Sequence, residues 1–533
     1  MPPLQRFIFV TGGVISGVGK GTVTASIARI LKEAGFKIGV MKFDGYLNVD
    51  AGTLNPYEHG EVYVLDDGTE CDEDLGHYER MLNENLSGKI SYLTGGKVLL
   101  SILERERKGE YLGKTVQFIP HVVRWVIDHL QEVSKNFEIF LVEVGGSVGD
   151  WENWYMIEAA RRMKNSEDYR VCIIHVGYVF VPPFLKEPKT RPLQRSVSQI
   201  RSLGLNPDIL VVRSDIILPP YIIEKIRVRC GIKNVFQVPT YDIYYKVPIV
   251  LSRQGILEPI LQILDLEKRK DGKLDNFISF CKLWSNCKRS VKIAIIGKYT
   301  RVPDAYLSII EALKHTTLKL GYKPDITLIE ATDYENKEIK EFPYDGCIIP
   351  GGFGKRAAEG KMRFIEYCRK NKIPVLGLCW GLQLMAIEYA RNVCGMERAN
   401  TTEIDPETPH PVVDLMPEQR DIDKLGGTMR LGSMPVRIVP NTLLHKIYQK
   451  ELVYERHRHR WEVNPKYFDI LRENGLVFSA WSEDGKRVEA IELGNHPFFL
   501  GVQFHPEFKS RPENPHPIFV AFAKACIEYS QHR

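Results

Sequence analysis

The chain has 533 residues, 44% of them hydrophobic and 26% charged, a composition of globular domains and not of a disordered or fibrous chain. At roughly 100–200 residues per domain it should hold at least two. Its 72 basic and 67 acidic residues leave a net charge of +5 without long runs of one sign, which argues against a protein that coats nucleic acid or a membrane surface.

Ten cysteines show neither CxxC pairs nor zinc-like spacing, so no disulfide framework or structural metal is indicated and a reducing compartment is expected. Met1-Pro2-Pro3-Leu4-Gln5-Arg6 lacks the apolar stretch of a secretory signal. No later run reaches the ~18 apolar residues of a membrane span, and a cytoplasmic location is expected.

In chain order, apolar runs at 7–11, 39–43, 139–144, 171–176, 209–213 and 235–238 read as strands, with helical patterns at 22–33 and 118–133 between them. Continuous apolar strands alternating with helices predict a parallel sheet covered on both faces. A second series follows at 291–296, 325–330, 347–349 and 375–379. The charged stretch around Glu267-Lys268-Arg269-Lys270-Asp271-Gly272-Lys273 reads as a linker. The expectation is an α/β chain of two domains, 1–265 and 291–533, joined by a linker at 266–290.

The first strand runs into Gly12-Gly13-Val14-Ile15-Ser16-Gly17-Val18-Gly19-Lys20-Gly21-Thr22 and a helix. A glycine-rich turn at a helix N-terminus offers backbone N–H groups and a positive dipole end to phosphate, and Lys20 adds a point charge. The strict GxxxxGK[ST] pattern is missed, since Val14 replaces the first glycine and Gly21 the hydroxyl residue; Thr22 follows one position late. The carboxylate-rich stretch ending at Asp74, and Glu143 at the end of a strand, are candidate Mg²⁺ ligands near ATP phosphates.

Gly377-Leu378-Cys379-Trp380-Gly381 has the G-x-C-x-G form of a nucleophile elbow, with Cys379 at a helix N-terminus. His505-Pro506-Glu507 supplies a base and its orienter, both facing one way if the segment is a strand. Gly351-Gly352 offers backbone N–H groups to an oxyanion. Together these read as a Cys-His-Glu acyl-transfer site. The stretch 455–464, rich in His and Arg, reads as a solvated basic edge strand, as a His-x-His metal pair, or as the source of an arginine that clamps a carboxylate. The stretch 186–195 reads as an exposed loop or as a holder of a second phosphate-bearing substrate.

With these motifs, and with Met41-Lys42-Phe43-Asp44, His59-Gly60-Glu61-Val62, Asp74-Leu75-Gly76-His77-Tyr78-Glu79-Arg80, Gly109-Glu110-Tyr111-Leu112-Gly113, Gly426-Gly427-Thr428-Met429-Arg430-Leu431-Gly432 and Pro350-Gly351-Gly352-Phe353-Gly354, nearly the whole chain resembles the CTP synthases. The resemblance implies two Rossmann-like domains with mainly parallel sheets, a P-loop amidoligase domain and a class I glutaminase domain, in a C–N ligase of pyrimidine nucleotide biosynthesis. ATP would lie on Gly17, Val18, Gly19, Lys20, Gly21 and Thr22 with Lys42 and Asp74, and Mg²⁺ on Asp74 and Glu143. UTP, or CTP as feedback inhibitor, would contact Ser16, Asp150, Trp151, Glu152, Lys189, Thr190, Arg191, Pro192, Leu193, Gln194 and Lys225. Glutamine would be held by Gly352, Trp380, Gly381, Leu382, Gln383, Glu403 and Arg460 and attacked by Cys379, with His505 and Glu507 moving protons. Ammonia would then pass to the phosphorylated UTP. The resemblance further implies GTP as activator, a homotetramer and filaments. Departures from the family pattern include Trp380 for the usual leucine, Trp151 inside the nucleotide signature, Arg191 and Leu193 in the phosphate loop, Gly45, Ala357 and Pro239-Thr240-Tyr241. A cobyric-acid-type amidoligase would share both ends of the chain but not the 74–80 and 189–194 blocks. A nucleotide-controlled scaffold with an idle Cys379 is the reading from a different class.

Overall fold

A computed structural model describes residues 4–185, 187–415 and 429–533. Lys186 and the Gly426-Gly427-Thr428 part of the shared motif lie outside the described residues. The chain forms two compact units, one of residues up to Ala51 with Asp74–Lys282, the other of Gly52–Glu73 with Leu283–Arg533. Both are α/β.

The first unit is built on seven parallel strands in the spatial order Tyr92–Thr94, Ile38–Asp44, Ile139–Val144, Gln5–Gly12, Tyr169–Tyr178, Ile209–Ser214 and Asn234–Pro239. Phe7, Phe9, Met41, Phe43 and Val142 are fully buried, as strands covered by helices on both faces require. Each such side chain contributes about 1.5–3 kcal/mol of burial. Chain progression reverses direction at the central strand Gln5–Gly12, so the carboxyl ends of that strand and its neighbours border a crevice suited to a ligand. The helical pattern at 118–133 resolves into a wide turn, Phe118–Val122, followed by the helix Val123–Ser134, because Pro120 has no N–H to give a regular first turn. Within 266–290 the structure contains the helix Asp275–Asn286, whose Phe277 and Phe280 are buried.

The second unit carries a nine-stranded sheet ordered Lys323–Glu330, Ser290–Gly297, Gly346–Ile349, Val375–Leu378, Phe499–Val502, Val488–Glu492, Val477–Ser482, Arg430–Ile438 and Leu452–His459. The first five are parallel and the rest antiparallel. Among the described residues, no helix is long and apolar enough to cross a membrane.

Gly52–Glu73 is tied to this sheet by charge. Arg456 is fully buried; its Nε donates to Asp66 at 2.6 Å and its guanidinium also reaches the Tyr63 hydroxyl and the Val64 carbonyl. Arg458 donates to Glu70 at 2.7 Å, and Tyr63 donates to the Phe508 carbonyl at 2.6 Å. The expectation of a solvated basic edge is overturned here. The strand is at the sheet edge, but its arginines are covered by an N-terminal segment that supplies the carboxylates. His457 Nε2 donates to Glu489 at 2.8 Å, and His459 meets the Trp461 carbonyl at 3.3 Å, so the two histidines are engaged by protein groups.

Removing one partner of a buried ion pair costs about 3–5 kcal/mol. Arg456→Met should therefore loosen 52–73 and speed proteolytic cleavage inside it at least tenfold under native conditions, read by timed digestion and mass spectrometry. An unchanged cleavage rate would show that the segment is held by other contacts.

Candidate active site

The strand Val375–Leu378 stops where Cys379 adopts φ 53° and ψ −104°, a left-handed backbone that a side chain takes only under constraint. The helix Trp380–Asn392 begins at the next residue. A methyl group on Gly381 would stand 2.2 Å from the Ile349 carbonyl oxygen, so only glycine fits the turn. Cys379 faces a cavity of about 120 Å³ lined also by Gly351, Gly352, Arg458, His505 and Glu507. Its thiol donates to the Arg458 carbonyl at 3.6 Å, and the Gln503 amide donates to the sulfur at 3.7 Å.

His505 Nδ1 is 2.7 Å from Glu507 Oε1, and the ring stacks on Phe508 with centroids 5.0 Å apart. Burial opposes a charge on this imidazole, but Glu507 and Cys379 outweigh it and push the pKa up to about 10. The pair does not lie on a strand. Phe499–Val502 ends three residues before His505, and Glu507 sits in the 3₁₀ turn Pro506–Lys509, which Pro506 opens with its fixed φ. The turn, not strand alternation, brings the carboxylate to the ring. Gly351 lies against both partners: a methyl group there would be 3.1 Å from His505 Cε1 and 3.7 Å from Cys379 Cβ. Gly351 and Gly352 thus stand at the cavity that Cys379 faces.

Glu403 accepts from the Gly354 N–H at 2.7 Å, and burial raises its carboxyl pKa. It lines an adjoining cavity of about 390 Å³ with Phe353, Arg458, Arg460 and Trp461. Arg460 Nε is buried with no hydrogen-bond partner among the described residues, a donor suited to a ligand carboxylate. Three other residues expected around glutamine point their side chains elsewhere. Leu382 and Trp380 are in the core. Gln383 is buried and donates to the Trp461 carbonyl at 2.7 Å, so it holds the chain beside Arg460.

In the first unit the helix Lys20–Glu33 starts after Gly19, at φ 90°. A methyl group on Gly21 would stand 1.8 Å from Asp74 Oδ1, which places that carboxylate directly on the phosphate loop. Lys20 is buried and donates to the Gly146 carbonyl at 2.8 Å; burial and Lys42 lower its pKa. Lys42 contacts Asp74 and lies 3.5 Å from Glu143, to which Tyr78 donates. Burial and the neighbouring Asp74 push the Glu143 carboxyl up, whereas for Asp74 burial is overcome by Lys42, His77 and Lys20, which push it down. With Asp44 Oδ1 at 3.7 Å, three carboxylates thus converge on one cation, Lys42. That donor set fits a Mg²⁺ carried in on phosphates, which needs only one or two protein carboxylates. Among the described residues there is no group of three or more His, Cys, Asp or Glu that could hold a metal unaided.

Beside this crevice, Asp150 accepts from the Ser147 N–H at 2.6 Å, Ser16 and Glu152 are exposed, and Trp151 is 86% exposed. The helix Arg191–Ser202 carries the second phosphate stretch at its N-terminus, with Pro192 in its first turn and Gln194 bonded to Thr190 at 3.0 Å. Lys189 pairs with Glu187, and Lys225 is close enough to act on the same carboxylate. Leu193 departs from its expected role: its side chain is in the core against Gly177, leaving only its backbone for a ligand.

Sequence reasoning missed Gln503, the Arg458 carbonyl, Lys298 and Lys361. For Lys361 a signal existed, since it falls at the apolar spacing of Ala358, Met362 and Ile365 on the helix Ala358–Lys370.

The sequence has counterparts among known proteins. Residues 6–266 match the family model described as CTP synthase N-terminus, and residues 301–525 match glutamine amidotransferase class-I. The chain is 48% identical over 530 residues to the CTP synthase of Thermococcus gammatolerans, covering 98% of this chain and 99% of that one. It is 47% identical to the CTP synthase of Archaeoglobus fulgidus, again covering 98% of this chain and 99% of that one. A solved glutaminase domain of Trypanosoma brucei CTPS with bound acivicin shares 38% identity, covers 45% of this chain and 94% of that chain, and superposes with a TM-score of 0.41. Fold and site together define a class I glutamine amidotransferase joined to a phosphate-loop domain. With near-complete coverage by its relatives, the chain belongs to the CTP synthase family.

A histidine pKa raised from its ordinary 6.5 to about 10 stabilises the folded protein fully below about pH 6.5 and loses that contribution as pH rises through 10. Histidine NMR should show His505 still protonated at pH 8, and Glu507→Gln should bring its titration down by at least one pH unit. A wild-type ring already neutral at pH 8 would contradict the assignment.

Proposed function

We propose that this chain makes CTP from UTP in two linked reactions, with ATP supplying the phosphoryl group and glutamine the nitrogen. The observation that carries the reading is that one chain holds both a Lys20, Lys42, Asp74 and Glu143 phosphate site and a Cys379, His505 and Glu507 constellation. In the first, the γ-phosphoryl of ATP passes to O4 of UTP, while Lys20 and Lys42 offset charge on the transferring group. Asp74 and Glu143 are the residues to hold Mg²⁺, which when bound supplies charge neutralisation on the phosphates. In the second, the Cys379 sulfur attacks the glutamine amide carbon and His505 gives the proton with which ammonia leaves; water then releases glutamate from the thioester. Ammonia attacks C4 of the phosphorylated UTP and phosphate departs.

UTP and, as feedback inhibitor, CTP would share Ser16, Asp150, Trp151, Glu152, the 189–194 stretch and Lys225. The N-terminus of the helix Arg191–Ser202 supports a triphosphate there. Glutamine would lie between Cys379 and the Glu403 and Arg460 pair. GTP activation, a cytoplasmic location and assembly into tetramers and filaments form part of the same reading. Leu112, Trp151 and Phe184, each 86–88% exposed, are apolar side chains that further copies would cover.

The test is CTP formation with ammonia or glutamine as donor. Wild type should use both, Cys379→Ser only ammonia, and Asp74→Asn should lose at least 100-fold with either donor. Failure of wild type with ammonia would overturn the first site, and glutamine use by Cys379→Ser the second.

A further inference from the structure

The glutamine site contains a buried cluster that no step above uses. Lys361 is fully buried and donates to the Pro350 carbonyl at 2.8 Å. Lys298, 4% exposed, donates to the Phe353 carbonyl. These carbonyls stand at the two ends of Pro350-Gly351-Gly352-Phe353, the stretch that carries the oxyanion N–H groups. Between them lies Trp380: a methyl group on Gly352 would be 3.1 Å from its Cε3 atom. The same indole takes both ammonium groups, with Lys298 Nζ 5.0 Å and Lys361 Nζ 4.7 Å from its ring centroid.

A buried ammonium needs compensation; Lys361 has one carbonyl and the Trp380 face, and Lys298 one carbonyl with the faces of Trp380 and, at 5.4 Å, Tyr299. Burial and the neighbouring Arg356 hold the Lys298 pKa down to about 8, and burial with Lys298 lowers that of Lys361. The arrangement is therefore costly as pure core filling. Its geometry has a specific consequence, because Trp380 is covalently next to Cys379. One side chain thus touches the oxyanion strand while its own backbone starts the helix under the nucleophile.

We propose that Trp380, clamped by Lys298 and Lys361, is a positioning residue that sets the distance between the Cys379 sulfur and the Gly351-Gly352 N–H groups. The proposal rests on the reading of Cys379 as the glutamine nucleophile. Oxyanion donors act only within about 2.7–3.1 Å of the developing charge, and a 1 Å misplacement can cost on the order of 100-fold. An indole packed on glycine, in contact with two ammonium groups that are themselves bonded to the Pro350 and Phe353 carbonyls, removes that freedom before substrate arrives.

The test compares Trp380→Leu, Trp380→Phe and Lys361→Met in glutamine hydrolysis, with Cys379 alkylation by iodoacetamide as a reaction that needs the thiolate but no oxyanion site. Trp380→Leu should lower kcat about 10–100-fold with KM and alkylation rate changed less than about threefold. Trp380→Phe, which keeps an aromatic face, should recover most of the loss. Lys361→Met keeps the indole and should lower kcat in the same way. Unchanged kcat in Trp380→Leu or Lys361→Met, or a parallel fall in alkylation, would overturn the proposal. If Trp380→Leu fails to fold, the other two variants decide it. Glutamine hydrolysis by Cys379→Ser at the wild-type rate would instead sink the reading beneath it.

Discussion

The second site depends on one backbone conformation. Cys379 occupies a region of φ and ψ that costs of order 1–3 kcal/mol for a residue with a side chain, and it persists because its neighbours leave no other path. Gly381 packs on the Ile349 carbonyl, the Cys379 N–H is held by the Val502 carbonyl at 2.7 Å, and the helix must start at once. Relaxing that turn would drop the sulfur from the cavity and separate it from His505. Much of the surrounding architecture, from the parallel strands on either side to the glycine segment at 351–352, keeps this turn from opening.

The first unit solves a different problem, the gathering of like charge. Lys20 and Lys42 sit together, and Asp74 and Glu143 sit together, in a crevice where water is scarce. Neither pair is tolerable alone; interleaved, each cation offsets a carboxylate. The split of the two carboxyl pKa values in opposite directions reflects which of them lies closer to Lys42. Asp74 and Glu143, the carboxylates that would hold a Mg²⁺, are in this structure the partners of Lys42.

How much of this was readable in the sequence follows from what each feature requires. The phosphate turn and the elbow are local, so spacing of glycines around Lys20 and Cys379 exposes them. The α/β class was equally legible from apolar runs. The His505 and Glu507 pairing was visible as a spacing of two, but its cause was not, since a 3₁₀ turn and a strand end share that spacing. Motif membership does not tell where a side chain points. Leu193, Leu382 and Gln383 stand inside expected binding stretches, and their side chains are buried in the core or bonded to a neighbouring strand. Gln503, Lys298 and Lys361 act through contacts distant in sequence, which periodicity cannot register. The covering of Arg456 by Asp66 was the least legible, because Gly52–Glu73 contains one four-residue helix and two-residue strands, too short to show a periodicity.

That pairing has a consequence for the order of biosynthesis. Asp66 leaves the ribosome 390 residues before Arg456, which at 5–20 residues per second is a delay on the order of 20–80 s. During that interval Gly52–Glu73, flanked on both sides by parts of the other unit, has no sheet to join. The two-residue ladder within it is far too small to hold alone. The second unit is therefore assembled from segments made at widely separated times, and its edge strand is covered only once both are present. A fragment of the second unit made without that early segment would leave Arg456 and Arg458 uncovered and without the carboxylates that receive them.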